Sequence, residues 1–167
     1  MINAKGEPVT LELDEVDHKL KVRQGRSSFV MSLIDPTALK ASPRIPPIEL
    51  PCAVTMQGND LRDAVRNALK VSDGAYMEQS DTAFSIVSER DIDTYRADFP
   101  LAELTGIRQG EARSLFALEY LDDVAKVASG HEVTIESGMD YSARVLFSIG
   151  KDVAVSYLLA PRIENTD

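Results

Sequence analysis

The stretch Gly6-Glu7-Pro8-Val9-Thr10-Leu11-Glu12 returns in the same phase as Gly130-His131-Glu132-Val133-Thr134-Ile135-Glu136. Both copies run through two further strand-like stretches to similar endings, Ser32-Leu33-Ile34-Asp35-Pro36 and Tyr157-Leu158-Leu159-Ala160-Pro161. A repeat at this scale says that one supersecondary unit is used twice. In the first copy Val9, Leu11 and Leu13 share a face, then Leu20 and Val22, then Phe29, Met31 and Leu33. In the second copy the same places hold Val133 and Ile135, then Val145 and Phe147, then Val153, Val155 and Tyr157. Apolar and polar residues alternating between turn residues form the pattern of half-buried antiparallel strands. Three-stranded sheets resemble one another in general; the seven-position match at one phase favours a duplication.

The segment between the copies has its own grammar. Ser42-Pro43-Arg44-Ile45-Pro46-Pro47-Ile48-Glu49-Leu50-Pro51 has four prolines in ten residues, too many for a helix or a central strand. It reads as an extended, stiff connector that presents aliphatic side chains. A short strand is expected over 52–56, then a helix capped by Asn59 or Asp60 and running to about Val71. Ser72-Asp73-Gly74 ends that helix, and strands are expected over 75–79, 82–89 and 94–99. A loop over 106–110 leads to a strand within 114–117, and a second helix over about 118–128 stops at Gly130. The second unit thus reads strand, helix, several strands, helix, three strands. The first has only the last three strands, so the chain is expected to begin partway through its first unit.

Composition narrows the function. Hydrophobic residues at 44% and charged residues at 27% describe a chain able to bury a core. No apolar run approaches the roughly 18 residues that suggest a membrane span, and the N-terminus has no secretory h-region. A single cysteine, Cys52, forbids an internal disulfide or a cysteine zinc site and suits a reducing cytoplasm. The net charge of −9 argues against holding nucleic acid by overall positive charge, though not against cations gathered on one surface.

Catalytic arrangements do not hold up. Asp91-Ile92-Asp93 imitates a metal motif but lies between strands beside Glu89 and Arg90, as a charged turn would. His131 has no Ser/His/Asp spacing, phosphate-binding glycine loops are absent, and Cys52 opens an apolar strand as a small core residue. No cofactor, metal or enzymatic activity is expected. The first helix offers more. Leu61, Val65 and Leu69 form an apolar stripe, and Arg62, Arg66 and Lys70 repeat the spacing one residue later with no carboxylate on the row. Such a row is either a solvated face or a set of phosphate contacts.

Four short stretches, in order along the chain, carry a resemblance. They are Ile45-Pro46 leading to Cys52-Ala53-Val54, then Leu115-Phe116-Ala117-Leu118-Glu119-Tyr120-Leu121, and finally the ending Tyr157-Leu158-Leu159-Ala160-Pro161-Arg162-Ile163-Glu164. Together they resemble the proliferating cell nuclear antigen (PCNA) family of ring-shaped DNA sliding clamps, its archaeal members most closely.

The resemblance implies an α+β clamp domain with antiparallel sheets outside and two helices inside. Before it stand the last three strands of an incomplete first clamp domain. Residues 1–35 would be those strands, 36–51 the interdomain connector, 52–161 the complete second domain and 162–167 the tail. In the family the helices line the hole, so Arg62, Arg66, Lys70 and Lys126 would face double-stranded DNA. Closure holds DNA topologically, which reconciles an acidic exterior with a DNA-binding role. Partner enzymes insert peptides between connector and tail, which implies Ile45, Pro46, Ala160, Pro161 and Ile163. The implied partners are DNA polymerase, clamp loader, flap endonuclease and DNA ligase. Another copy or a full-length clamp subunit would join through edge strands bearing Ser27, Phe29, Met31 and Leu33, and Thr94, Arg96 and Phe99. The location would be cytoplasmic, at the nucleoid. A shortened decoy that binds partners without closing on DNA is the alternative use of the same residues.

Overall fold

The computed structural model describes residues 8–38 and 48–163, which fall into two compact units divided after Pro47. The first is a three-stranded antiparallel sheet of β1 (Val9–Asp14), β2 (Lys19–Gln24) and β3 (Ser27–Ser32). Strand alternation puts Leu11, Val22 and Phe29 in one cross-strand row. Val22 is buried, while Leu11 is 64% exposed and Leu13 55%.

The second unit contains two antiparallel sheets and two helices. One sheet has the order β12-β11-β10-β4-β8, from β12 (Val153–Leu159), β11 (Ala143–Ile149), β10 (Glu132–Ser137), β4 (Cys52–Gln57) and β8 (Thr105–Arg108). The other runs β7-β6-β5-β9, from β7 (Asp93–Pro100), β6 (Ala83–Arg90), β5 (Gly74–Gln79) and β9 (Ala112–Ala117). Helices α1 (Gly58–Ala68) and α2 (Leu118–Ala128) pack on one another. Their buried faces, Leu61 and Val65 from α1 with Leu121 and Val124 from α2, close over Val54, Met77, Phe84, Phe116, Val133, Ile135 and Val145. The row Ile135–Val145–Tyr157 repeats the first unit's Leu11–Val22–Phe29. Here Ile135 and Val145 are fully buried, because two helices lie over them. Full burial of each such side chain contributes about 1.5–3 kcal/mol.

Several local expectations need correction. α1 starts at Gly58, with Gln57 as a cap that makes no side-chain bond. Asn59 does not cap its own helix: its Oδ1 accepts from Ser129 Oγ at 2.7 Å and Gly130 N at 3.0 Å, tying the start of α1 to the end of α2. Glycine at 58 is needed for this crossing, since a Cβ there would run into the Ala128 carbonyl. α1 ends at Ala68, so Lys70 and Val71 lie in the turn beyond it, and Leu69 leaves the apolar stripe at 38% exposed. Of the residues read as a loop over 106–110, 106–108 belong to β8 on the edge of β4. A four-residue strand with a left-handed glycine, Gly106, lacks the alternation that marks longer strands. Val153 is 52% exposed at the start of β12, whereas Val155 and Tyr157 pack on the core. Asp91 and Ile92 form the two-residue turn between β6 and β7, with Asp91 left-handed at φ 51°.

Candidate functional site

Three surfaces carry the residues expected to function. The first is the exposed face of the helix pair. Arg62 and Arg66 project from α1 and Lys70 from the turn after it. Arg62 Nη1 donates to Ser129 Oγ at 3.3 Å, and Lys70 Nζ donates to Asn67 Oδ1 at 2.8 Å, both neutral partners. Arg66 is paired with Asp63 at 3.0 Å, so the row that looked free of carboxylates in sequence is met by one in space. One helical turn brings i and i+3 together, a geometry that a reading along i, i+4 passes over. Lys126 is held by Asp122 at 2.7 Å and Asp123 at 3.2 Å. Hydrogen bonds to Asp122 and then Asp123 raise its ammonium above the ordinary lysine value. Over the layer, Arg62, Arg66, Lys70 and Lys126 stand against Asp60, Asp63, Glu119, Asp122 and Asp123, four cations against five carboxylates.

The second surface is the tail. The chain leaves β12 through exposed Ala160 and half-buried Pro161, and Ile163 stands 89% exposed. Between them Arg162 is stitched down: its amide donates to Leu115 O at 2.7 Å and its Nη2 to Asp73 Oδ2 at 2.9 Å. The guanidinium's hydrogen bond, then its charge, holds the Asp73 carboxyl below its ordinary value. Arg162 was not among the expected site residues, and no sequence signal links it to Asp73, 89 positions away. Ile45 and Pro46, the connector side of the expected seat, lie outside the described residues.

The third surface is a pair of sheet edges. β3 is one outer strand of its sheet, with Ser27, Phe29 and Met31 exposed on it and Leu33 exposed just beyond. β7 is one outer strand of the four-stranded sheet. Thr94 is exposed there, but Phe99 turns inward against Phe84, with ring centroids 6.3 Å apart. Arg96 is engaged within the chain, with Asp98 at 2.7 Å, Glu78 at 3.1 Å and Ser85 at 3.0 Å. What β7 offers a neighbour is therefore mainly its unpaired backbone.

Elsewhere Cys52 is fully buried and burial pushes its thiol up, as befits a core residue. Among the described residues no group of three or more His, Cys, Asp or Glu side chains is placed to hold a metal ion. Among the same residues no helix is long and apolar enough to cross a membrane.

Two helices laid over antiparallel sheets, with further sheet edges left open, define a fold of the processivity-clamp class. No protein-family model matches the chain. It is 44% identical over 161 residues to the DNA polymerase sliding clamp of Methanothrix thermoacetophila, covering 96% of this chain and 66% of that protein. To the sliding clamp of Methanocella arvoryzae it is 36% identical over 167 residues, covering 98% of this chain and 68% of that one. Among solved structures it superimposes on Archaeoglobus fulgidus PCNA, a structure that holds the C-terminal region of FEN-1. The TM-score is 0.80 at 36% identity, over 94% of this chain and 64% of that one. The chain belongs to the DNA polymerase sliding clamp (PCNA) family. It spans about two thirds of the length of these curated relatives.

Proposed function

We propose that the chain acts as a non-catalytic sliding clamp component that keeps replication and repair enzymes on double-stranded DNA. The observation that carries this is identity at 36–44% with DNA polymerase sliding clamps along nearly its whole length. The α1–α2 layer faces the duplex, with Arg62, Arg66, Lys70 and Lys126 as the cations nearest the phosphates. The layer is nearly charge-balanced, so it holds DNA weakly and lets it slide, while encirclement supplies retention. Subunits associate through the β3 and β7 edges, by backbone pairing of strands from different copies. Partner enzymes, flap endonuclease, polymerase, ligase and clamp loader among them, dock short peptides on Ala160, Pro161 and Ile163 with Ile45 and Pro46. The working location is the cytoplasm, at the nucleoid.

The C-terminal region of FEN-1 is the probe for the docking part of this reading. Titrated against the full chain by calorimetry, it should bind, and Ile163→Asp should weaken it at least about tenfold by placing a carboxylate in an apolar seat. Equal affinity of parent and I163D, or no binding by the parent, would reject the tail as the docking surface.

A further inference from the structure

A row of side chains crosses the five-stranded sheet. Registers align Arg108 on β8 with Ala53 on β4, Ala53 with Glu136 on β10, and Glu136 with Arg144 on β11. Ala53 is the small member, and over it Arg108 reaches Glu136, Nη2 to Oε1 at 3.3 Å. From the other side Arg144 Nη1 reaches Glu136 Oε2 at 2.9 Å. A cavity of about 630 Å³ opens here, walled by residues 48–51, Arg108, Glu136 and Arg144.

The guanidiniums also hold the wall in place. Arg108 Nη1 donates to Leu50 O at 2.6 Å, and Arg144 Nη2 donates to Ile48 O at 3.4 Å. Each guanidinium has a fork of N–H donors, and these bonds leave some unused. Two cations converge on one largely buried carboxylate, so the trio keeps one positive charge in a chain of net −9. Among the described residues exposed Glu49 is the one other charge on the lining. Planar N–H forks at the wall of an open cavity match a carboxylate in geometry and sign.

We propose that this cavity is a carboxylate subsite, filled by an acidic side chain of a partner peptide docked along residues 48–51. Its peptide source rests on the partner-docking reading above; the subsite itself does not. A docked peptide has Ile48–Pro51 directly before β4 to follow, and the proline at 51 keeps that segment out of the sheet ladder. A carboxylate placed there exchanges water for N–H donors already held in position by Glu136 and two backbone carbonyls.

The test follows the arginine side-chain N–H signals of the full chain by NMR, with glutarate as the probe and its neutral diamide as the control, at fixed ionic strength. Glutarate should shift Arg108 and Arg144 saturably and the diamide should not. Arg144→Gln should weaken glutarate about threefold to tenfold, the range for a charge-assisted bond that is partly solvent-screened. Glu49→Gln should tighten it by removing a repelling charge. Equal responses to acid and diamide, shifts no larger than those of exposed Arg90, or an unaffected R144Q variant would overturn the subsite. A second arm titrates the FEN-1 C-terminal region and a version with its acidic residues changed to amides against parent and R144Q. Loss of affinity on R144Q for the acidic version alone identifies the peptide as the source. Equal loss for both, or none, overturns that source. A peptide that binds no variant instead refutes the docking function, and glutarate still decides the cavity.

Discussion

Raising the salt around a complex of this chain with duplex DNA should lower its affinity with a log–log slope of about −1.8, some −0.9 for each of two available cations. The figure follows from the partners of the four helix-layer cations. Among the described residues Arg62 and Lys70 are bound only to neutral oxygens, Ser129 Oγ and Asn67 Oδ1, and can turn to phosphate without leaving a carboxylate behind. Arg66 is engaged by Asp63, and Lys126 by Asp122 and Asp123. A phosphate approaching either must compete with a carboxylate already 2.7–3.2 Å away and is repelled by it. Fluorescence anisotropy of a labelled duplex, titrated with the chain from low to moderate salt, reads the slope. Arg62→Glu with Lys70→Glu should flatten it towards zero, while Asp63→Asn should steepen it by about 0.9 by releasing Arg66. A parent slope near −3.6 would refute the reasoning, because it would mean all four cations reach phosphate and the intramolecular pairs open freely. So would D63N leaving the slope unchanged.

Gly58→Ala should destabilise the second unit by about 1–3 kcal/mol, as overpacking at the α1–α2 crossing would, and a urea midpoint equal to the parent's would count against the close approach. The Arg162–Asp73 tether should respond to acid. The folded-state carboxyl titrates below its ordinary 3.8, so the contribution is present above that value and is lost as pH falls through the lowered one. Asp73 is 81% exposed, so the effect on global stability should be small; NMR shifts of the Arg162 amide should move towards those of D73N only in strong acid. In hydrogen exchange, amides of β1–β3 should exchange faster than those of β10–β12, since Leu11 and Phe29 of the apolar row are exposed in one sheet, while their counterpart row in the other lies under two helices. Equal protection of the two sheets would show that the first is stabilised by something beyond its own residues.

The sequence by itself determined the strand and helix grammar. Alternation of period two in β1–β3 and β10–β12, and the apolar stripes of α1 and α2, are local patterns, and each encodes which face seeks burial. The repeat, too, was legible as letters, and its paired rows Leu11–Val22–Phe29 and Ile135–Val145–Tyr157 reappear in the registers. Only the tertiary structure decided what the polar residues do. Whether Arg66 and Lys126 are free cations depends on rotamers that place Asp63, Asp122 and Asp123 within reach. The role of Asn59 as a link between helices, the need for glycine at 58 and the clip from Arg162 to Asp73 join residues about 70 or more apart. The cavity over Ala53 requires four strands to be set in register before two arginines can share one glutamate. Apolar burial is written in periodicity because it needs only a face. Hydrogen bonds and ion pairs need a partner at a few ångströms, and folding brings that partner from elsewhere in the chain.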